Sequence, residues 1–490
     1  MKTKQVELDA NGKPKFGMID KIAYAAGDFG CNMSFGLKGT VQTFWLMFMT
    51  LETGLLSALL LLVQIWDAVN DPIIGSLIDA DTRKYKMGKF KSYIFVGACG
   101  LIVGGAAVFL PFPNAPVVIK AMLFIIGYVI WDAAYTMANV PYGSMLSLVT
   151  EDPGERAQLS TWRSVGSMVG GMLPGIILPM LIWRTKLDEN GNEVINQETQ
   201  EVVKELVGGR VFIAALIMGV LGFVAFMFMI KKITIRVDEN SVKTNEGGEK
   251  FNVVKAFGNF MKNRPAVGAT VAAMGMFLGM QSASTATTVM FATYFAKPEL
   301  SGVVMMVGFL PMFLFMPFIK KIVDKFGKKE ASVVGTLVSI LGGIVMLVFP
   351  MIGNKTAALV VYMLGLVLFG LGMGVYTCVS WALMADAIDY NEWKFGTREE
   401  GTVYSLHSFF RKLAQGVGPS VVLVVMGWLG YVSETAGYQT AQVAHNMCWL
   451  VAGLYLFSAV MQFVGIAVIY NLDKKTLAQM SDELSARKDS

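Results

Sequence analysis

Val211-Phe-Ile-Ala-Ala-Leu-Ile-Met-Gly-Val-Leu-Gly-Phe-Val-Ala-Phe-Met-Phe-Met-Ile-Lys-Lys232 carries no charge from position 211 to 230 and then stops on two lysines. An uncharged run of roughly 20 residues is what a helix needs to cross a hydrocarbon core about 30 Å thick. Helix is the form to expect, because backbone groups in lipid must find their hydrogen bonds within the segment. The signature recurs along the chain. Twelve spans can be placed, at about 22–49, 55–79, 92–112, 116–149, 158–184, 211–231, 265–296, 301–324, 330–352, 356–388, 402–432 and 445–471. Composition agrees: 54% of the 490 residues are hydrophobic and 16% charged, more apolar than a soluble domain of this length can bury.

Lysines and arginines in the short loops set the expected orientation. One side holds Arg83, Lys84, Lys86, Lys89 and Lys91, then Arg156, Lys231, Lys232 and Arg236, and later Lys320, Lys321, Lys325, Lys328 and Lys329. The alternate loops are poor in positive charge. Both termini are therefore expected in the cytoplasm, with the chain a multi-pass protein of the cytoplasmic (inner) membrane. This distribution explains the net charge of +5 without a nucleic-acid partner. The polar leader before the first span has no small-residue cleavage site, so no signal peptide is read. Residues 184–210 form an outer insertion of mixed charge in which a small external helix is expected. Cys31, Cys99, Cys378 and Cys448 all fall in or beside spans and are expected as buried small hydrophobes. No Cys/His cluster has metal spacing, and no cofactor is expected.

A polar stretch, 231–250, divides the spans into two sets of six, and each set repeats a feature after its second span. The first has Asp79, Thr82-Arg83 and Gly88-Lys89-Phe90-Lys91; the second has Asp324-Lys325-Phe326-Gly327-Lys328-Lys329. The expected organisation is an N-terminal six-helix bundle (1–230), a cytoplasmic linker (231–255) and a C-terminal six-helix bundle (256–490). The fold class is an all-α membrane protein of twelve transmembrane helices. Transporters built from such repeats place substrate near mid-membrane.

Ionisable groups inside spans are costly in lipid unless paired or hydrated, so they mark function. The second span reads Trp66-Asp67-Ala68-Val69-Asn70-Asp71-Pro72, with Asp67, Asn70 and Asp71 at i, i+3 and i+4 on one face. Two carboxylates so placed repel in a low dielectric, so one takes a proton or a cation sits between them. Hard oxygen donors suit a small hard cation. The other reading is a salt bridge to a basic residue elsewhere in the bundle. In the fourth span Thr136 and Asn139 precede Pro141, which breaks the backbone ladder. Arg163 lies in the fifth span. In the eleventh, Ser408 and Lys412 share a face, and His407 and Arg411 share the adjacent one. For Arg411 the competing readings are snorkelling and an internal salt bridge. Trp66, Trp131 and Trp381 could stack on a sugar ring, though aromatic residues in spans commonly pack or anchor.

Gly27-Asp-Phe-Gly-Cys-Asn32, the helix motif 66–72, Gly88-Lys89-Phe90-Lys91, Asn139-Val-Pro-Tyr-Gly-Ser144 and Asp386-Ala-Ile-Asp389-Tyr-Asn-Glu392 followed by Gly396-Thr-Arg398 stand in this order along nearly the whole chain. Together they closely resemble the glycoside–pentoside–hexuronide:cation symporters, the family of the melibiose permease, within the major facilitator superfamily. The resemblance implies a sodium or proton site made by Asp67, Asn70, Asp71 and Thr136. It implies sugar contacts at Asn32, Asn139, Arg163, Ser408 and Lys412, with His407 beside them, and a cytoplasmic gate in which Arg156 pairs with Asp386 or Asp389. This chain departs from the melibiose permease at Asn32 and Asn139, where that protein has sugar-binding aspartates, and at Gly143, where it has a tryptophan. These departures argue against melibiose and toward the glucuronide and pentoside branch.

The expected activity is cation-coupled symport of a small sugar or glycoside, with sodium ahead of proton as the coupling ion. A membrane-embedded enzyme lacks a nucleophile–base pair, metal motif or phosphate loop, and a transport-fold sensor lacks an evident output element. With Asn32 and Asn139 neutral, Arg163 and Lys412 favour an anionic substrate. If Asp28 pairs with one of them, a neutral sugar fits equally well.

Overall fold

The computed structural model describes residues 14–150, 152–237, 253–396 and 400–489. Helices occupy every position where a span is expected. In order they are α1 (Met18–Phe35), α2 (Lys38–Met47), α3 (Thr53–Ala80), α4 (Lys89–Val108), α5 (Val117–Val149), α6 (Pro153–Ile182) and α7 (Gly208–Lys232). There follow α8 (Val253–Lys262), α9 (Arg264–Thr293), α10 (Ser301–Phe326), α11 (Lys328–Val348), α12 (Lys355–Phe395), α13 (Glu400–Trp428), α14 (Ala441–Phe463) and α15 (Lys474–Asp489). Among the described residues, 10 helices are long and apolar enough to cross a membrane. The first expected span is not one rod. It divides at Gly36-Leu37 into α1 and α2, and a Cβ on Gly36 would stand 2.9 Å from the Pro174 ring of α6. Part of the expected linker, 238–252, and Thr397-Arg398 lie outside the described residues.

The chain forms two compact units. The first comprises Met1–Leu51, Leu62–Arg184 and Glu205–Gly248; the second comprises Glu52–Leu61, Thr185–Lys204 and Glu249–Ser490. Within the first, α4 packs on α5, α1 on α6 and α7, and α4 on α7. Within the second, α11 packs on α12, α9 on α13 and α14, and α11 on α14. The two pairing schemes are the same once the helices are matched in order. Glycines make the equivalent contacts close. A Cβ on Gly97 or Gly104 of α4 would come within 2.6 Å or 2.5 Å of the α5 backbone at Ala138 and Trp131. On Gly335 or Gly342 of α11 it would come within 2.7 Å or 2.5 Å of the α12 backbone at Gly372 and Phe369. Both pairs are spaced by seven residues, two helical turns, so each lines one stripe.

The repeated loop is also conserved in geometry between the halves. Gly88 (φ 88°, ψ 155°) precedes α4 and Gly327 (φ 104°, ψ 158°) precedes α11. That backbone region is open to glycine and strained for residues with a Cβ. In the first loop Asp81 accepts from the Tyr85 and Tyr93 hydroxyls and the Arg83 amide, and these donors hold its exposed carboxyl down to about 2.

The outer insertion corrects the expected helix. It forms short strands, β1 (Trp183–Thr185), β2 (Ile195–Asn196), β3 (Glu201–Val202) and β4 (Lys204–Leu206), with β1 paired to β4 and β2 antiparallel to β3. Asp188 turns the chain by accepting from the amides of Asn190 and Asn192, with Gly191 at φ 82°. Such aspartate turns and β-branched flanks oppose a helix. Residues of this insertion bond within the second unit: Asn196 donates to the Gln439 carbonyl at 2.8 Å, and Lys355 pairs with Glu201 at 2.8 Å.

Candidate cation and substrate sites

Asp67, Asn70 and Asp71 are brought together with Thr136, as their helix-face spacing predicts, because α3 lies beside α5. Asn70, 2% exposed, donates its side-chain amide to Thr136 Oγ1 at 2.9 Å; Thr136, fully buried, donates in turn to Asp71 Oδ1 at 2.8 Å. The same amide reaches Asp132 Oδ2 at 3.2 Å. Asp132 is 2% exposed and stands one turn before Thr136 on α5. It was not singled out from the sequence, although the i, i+4 spacing to Thr136 was a usable signal.

Asp67 has a different neighbour. Lys38, the first residue of α2, places its ammonium 3.7 Å from Asp67 Oδ2 and 5.0 Å from the centre of the Phe35 ring. The salt-bridge alternative therefore applies to Asp67. The break at Gly36-Leu37 positions Lys38, and nothing in the local sequence announces it. Among the described residues the group holds three carboxylates (Asp67, Asp71, Asp132) and the Lys38 ammonium, and it is rich in hard oxygen donors. Its oxygens are linked through hydrogen bonds rather than gathered at one point. Among the described residues no group of three or more His, Cys, Asp or Glu side chains converges as a metal centre.

Asn32, Asn139 and Arg163 gather on α1, α5 and α6. Asn32 donates to the Asp28 carbonyl at 2.9 Å, and the Cys31 thiol lies 3.7 Å from Asn139 Oδ1. Arg163 Nε stands 3.4 Å from Asp28 Oδ1 and its guanidinium lies 5.1 Å over the Tyr142 ring. Tyr142 stacks on Tyr24 at 4.7 Å, and its hydroxyl donates to the Tyr24 carbonyl at 2.8 Å. Asp28 thus balances Arg163, the second of the two charge readings for that cation. Gly143, next in the chain to Tyr142, has open space where a side chain would begin: a Cβ there would have no described atom within 4 Å.

In the second unit His407 is buried, and its Nδ1 lies 2.9 Å from Thr270 Oγ1 of α9. Ser408 is half-buried and Lys412 exposed on the same helix, α13. Trp381 of α12 gathers this face of α13. Its ring stacks on Tyr404 at 5.6 Å, meets His407 edge-on at 5.8 Å, and carries the Arg411 guanidinium at 5.1 Å. Of the three tryptophans considered for stacking, Trp131 is a packing residue, 2% exposed against Tyr128, whereas Trp381 is 47% exposed. The expected gate residues have partners inside their own units: Arg156 Nε donates to the Thr150 carbonyl at 2.9 Å, and Asp386 receives Lys328 at 2.7 and 2.8 Å.

A family model described as MFS/sugar transport protein matches residues 23–474. The chain belongs to this family. It is 28% identical to the uncharacterized symporter YnaJ of Bacillus subtilis, with 96% of each chain covered. It is 26% identical to an isoprimeverose transporter of Lactiplantibacillus pentosus (94% of this chain, 90% of the relative), and 25% identical to a glucuronide carrier protein homolog of Escherichia coli (95% of each). A solved D-xylose–proton symporter superposes with a TM-score of 0.58 at 15% identity, covering 91% of this chain and 96% of its own. The fold is that of the major facilitator superfamily, and within it these relatives identify the glycoside–pentoside–hexuronide symporter family. The protein is a multi-pass sugar transporter and not an enzyme.

Proposed function

We propose that this transporter is a sodium-coupled symporter of a glycoside, pentoside or hexuronide, working by alternating access in the inner membrane with both termini cytoplasmic. The observation that carries the reading is the hydrogen-bonded chain Asp132–Asn70–Thr136–Asp71, buried from Asp132 to Thr136, with Asp67 on the same face of α3. Three carboxylates crowd together beside the Lys38 ammonium, and a small cation relieves their mutual repulsion. Cation binding fixes α3 against α5, and α5 also carries Asn139 and Tyr142 toward Arg163. Cation and sugar then raise each other's affinity by the same factor, as linkage requires. Asn32, Asn139 and Arg163 are the sugar contacts of the first unit, and His407, Ser408 and Lys412 those of the second. Arg156, Asp386 and Asp389 form the cytoplasmic gate by exchanging their present partners during the cycle.

A second reading, proton coupling, is favoured by Lys38: its ammonium supplies a fixed positive charge beside Asp67, which leaves less need for a metal cation. Uptake by proteoliposomes under an imposed sodium gradient or an imposed proton gradient separates the two. Sodium-driven accumulation at constant pH supports the first. Equal uptake in sodium-free buffer with strong dependence on external pH replaces it by the second, and uptake indifferent to both gradients removes coupling altogether.

A further inference from the structure

Arg411 is a guanidinium held between aromatic rings, with no carboxylate beside it among the described residues. It lies half-buried on α13, and its Nε is shut off from solvent without a hydrogen-bond partner. Among the described residues no carboxylate pairs with it, in contrast to Arg163 with Asp28 and Lys328 with Asp386. Its contacts are aromatic: the guanidinium lies 5.1 Å over Trp381 and 5.6 Å over Phe277. Two ring faces fix the plane of the group and attract its charge, but they accept none of its in-plane hydrogen bonds. A buried donor of this kind costs about 1–3 kcal/mol when left unmade, and more when charged.

The surroundings do not suit snorkelling to the membrane surface. Phe277 also forms part of the wall of a half-open cavity of about 270 Å³ lined by the second unit, with Met276, Met280, Met305, Met312 and Met373. Thr377, on the same wall, is one helical turn before Trp381. Through Phe277, Arg411 therefore meets the wall of a half-open, largely apolar space, and it lies beside an exposed aromatic shelf, Trp381 and Tyr404. That is a setting in which a planar fork binds a carboxylate or sulfonate strongly, because the low dielectric raises the strength of a charge-assisted pair.

We propose that Arg411, clamped between Trp381 and Phe277, receives the acidic group of the substrate, making the protein a carrier of an anionic sugar derivative. This rests on the sugar-symport reading and adds to it the charge class of the substrate and the residue that selects it. Arg163, already balanced by Asp28, then contacts the sugar hydroxyls without setting the charge preference.

The test is binding of a matched pair, 4-nitrophenyl β-D-glucuronide and 4-nitrophenyl β-D-glucoside, to the full-length protein in nanodiscs by calorimetry with sodium present. The parent should prefer the glucuronide by about tenfold or more, the range of a charged hydrogen bond. Arg411→Gln should abolish that preference while moving glucoside affinity by less than about twofold. Arg163→Gln should weaken both ligands alike. Arg411→Lys, which keeps the charge and loses the fork, should retain an intermediate preference and covers the case in which the glutamine variant is not recovered folded. Preference retained in Arg411→Gln, or lost only in Arg163→Gln, overturns the assignment and leaves sugar symport standing. Binding of both ligands without preference by the parent overturns it likewise. Binding of neither removes the sugar reading itself, and this inference with it. A fourth arm compares nanodiscs of zwitterionic and anionic lipid. If anionic lipid alone abolishes glucuronide preference in the parent, Arg411 is a lipid-headgroup site and the proposal is wrong.

Discussion

Replacing Thr136 by valine tests the cation site at its centre. The side chain keeps nearly the same shape and loses only the hydroxyl. That hydroxyl accepts from Asn70 at 2.9 Å and donates to Asp71 at 2.8 Å; Asn70 and Thr136 are both buried, so no solvent replaces the first bond. The bond to a carboxylate is worth about 1.5–3 kcal/mol, which corresponds to roughly ten- to one-hundred-and-fifty-fold in an equilibrium constant. Because Thr136 both offers an oxygen and orients Asp71, the loss should appear in the cation dependence of uptake. The sodium concentration for half-maximal stimulation should rise by about that factor, with the maximal rate at saturating sodium much less affected. Thr136→Ser keeps both bonds and should stay close to the parent. The assay is sugar uptake into proteoliposomes across a sodium series at fixed pH. An unchanged half-maximal concentration in Thr136→Val, with normal protein recovery, would refute the idea that this hydrogen-bonded chain is the coupling site.

Asp67→Asn and Asp71→Asn should each abolish accumulation against a gradient while leaving membrane insertion intact; concentrative uptake at the parent level in both variants would count against the assignment. Gly88→Ala and Gly327→Ala should each lower stability by about 1–2 kcal/mol, since both residues hold positive φ, and thermal unfolding of each variant compared with a helix-surface Gly209→Ala control reads this directly. Asp81 has its carboxyl lowered from 3.8 to about 2 by its loop donors, so its contribution is complete above about pH 4 and disappears as pH falls through 2. Asp81→Asn should therefore differ from the parent in melting temperature at neutral pH, with the difference closing toward pH 2; a difference that persists at pH 2 has another origin.

Long features were the ones legible in sequence. Spans such as 211–231 announce themselves because lipid imposes one length and one composition, and the matched loops at Gly88 and Gly327 could be read because a repeat shows itself twice. The face shared by Asp67, Asn70 and Asp71 follows from helical spacing alone. What escaped depends on which residues meet across different helices. Lys38 reaches Asp67 only because the first span breaks at Gly36-Leu37, a break that carries no proline and interrupts an apolar run. Asp132 joins the cluster through the register between α3 and α5, which side-chain packing decides. Asp28 was weighed as a partner for a basic residue, but its choice of Arg163 required the crossing of α1 and α6. The insertion 184–210 was misread because charge and polarity mark a loop without saying whether it pairs as strands.

The open space at Gly143 makes α5 tolerant of a side chain at that position. A side chain added there meets no described atom at its first carbon, so a bulky residue can be introduced without displacing the backbone of α5. It stands one residue after Tyr142 and four after Asn139 on α5, where a larger side chain changes the surface of that helix without a clash at its first carbon. For an experimenter the same tolerance offers an attachment point: a single cysteine at 143 could hold a fluorophore close enough to report when sugar arrives.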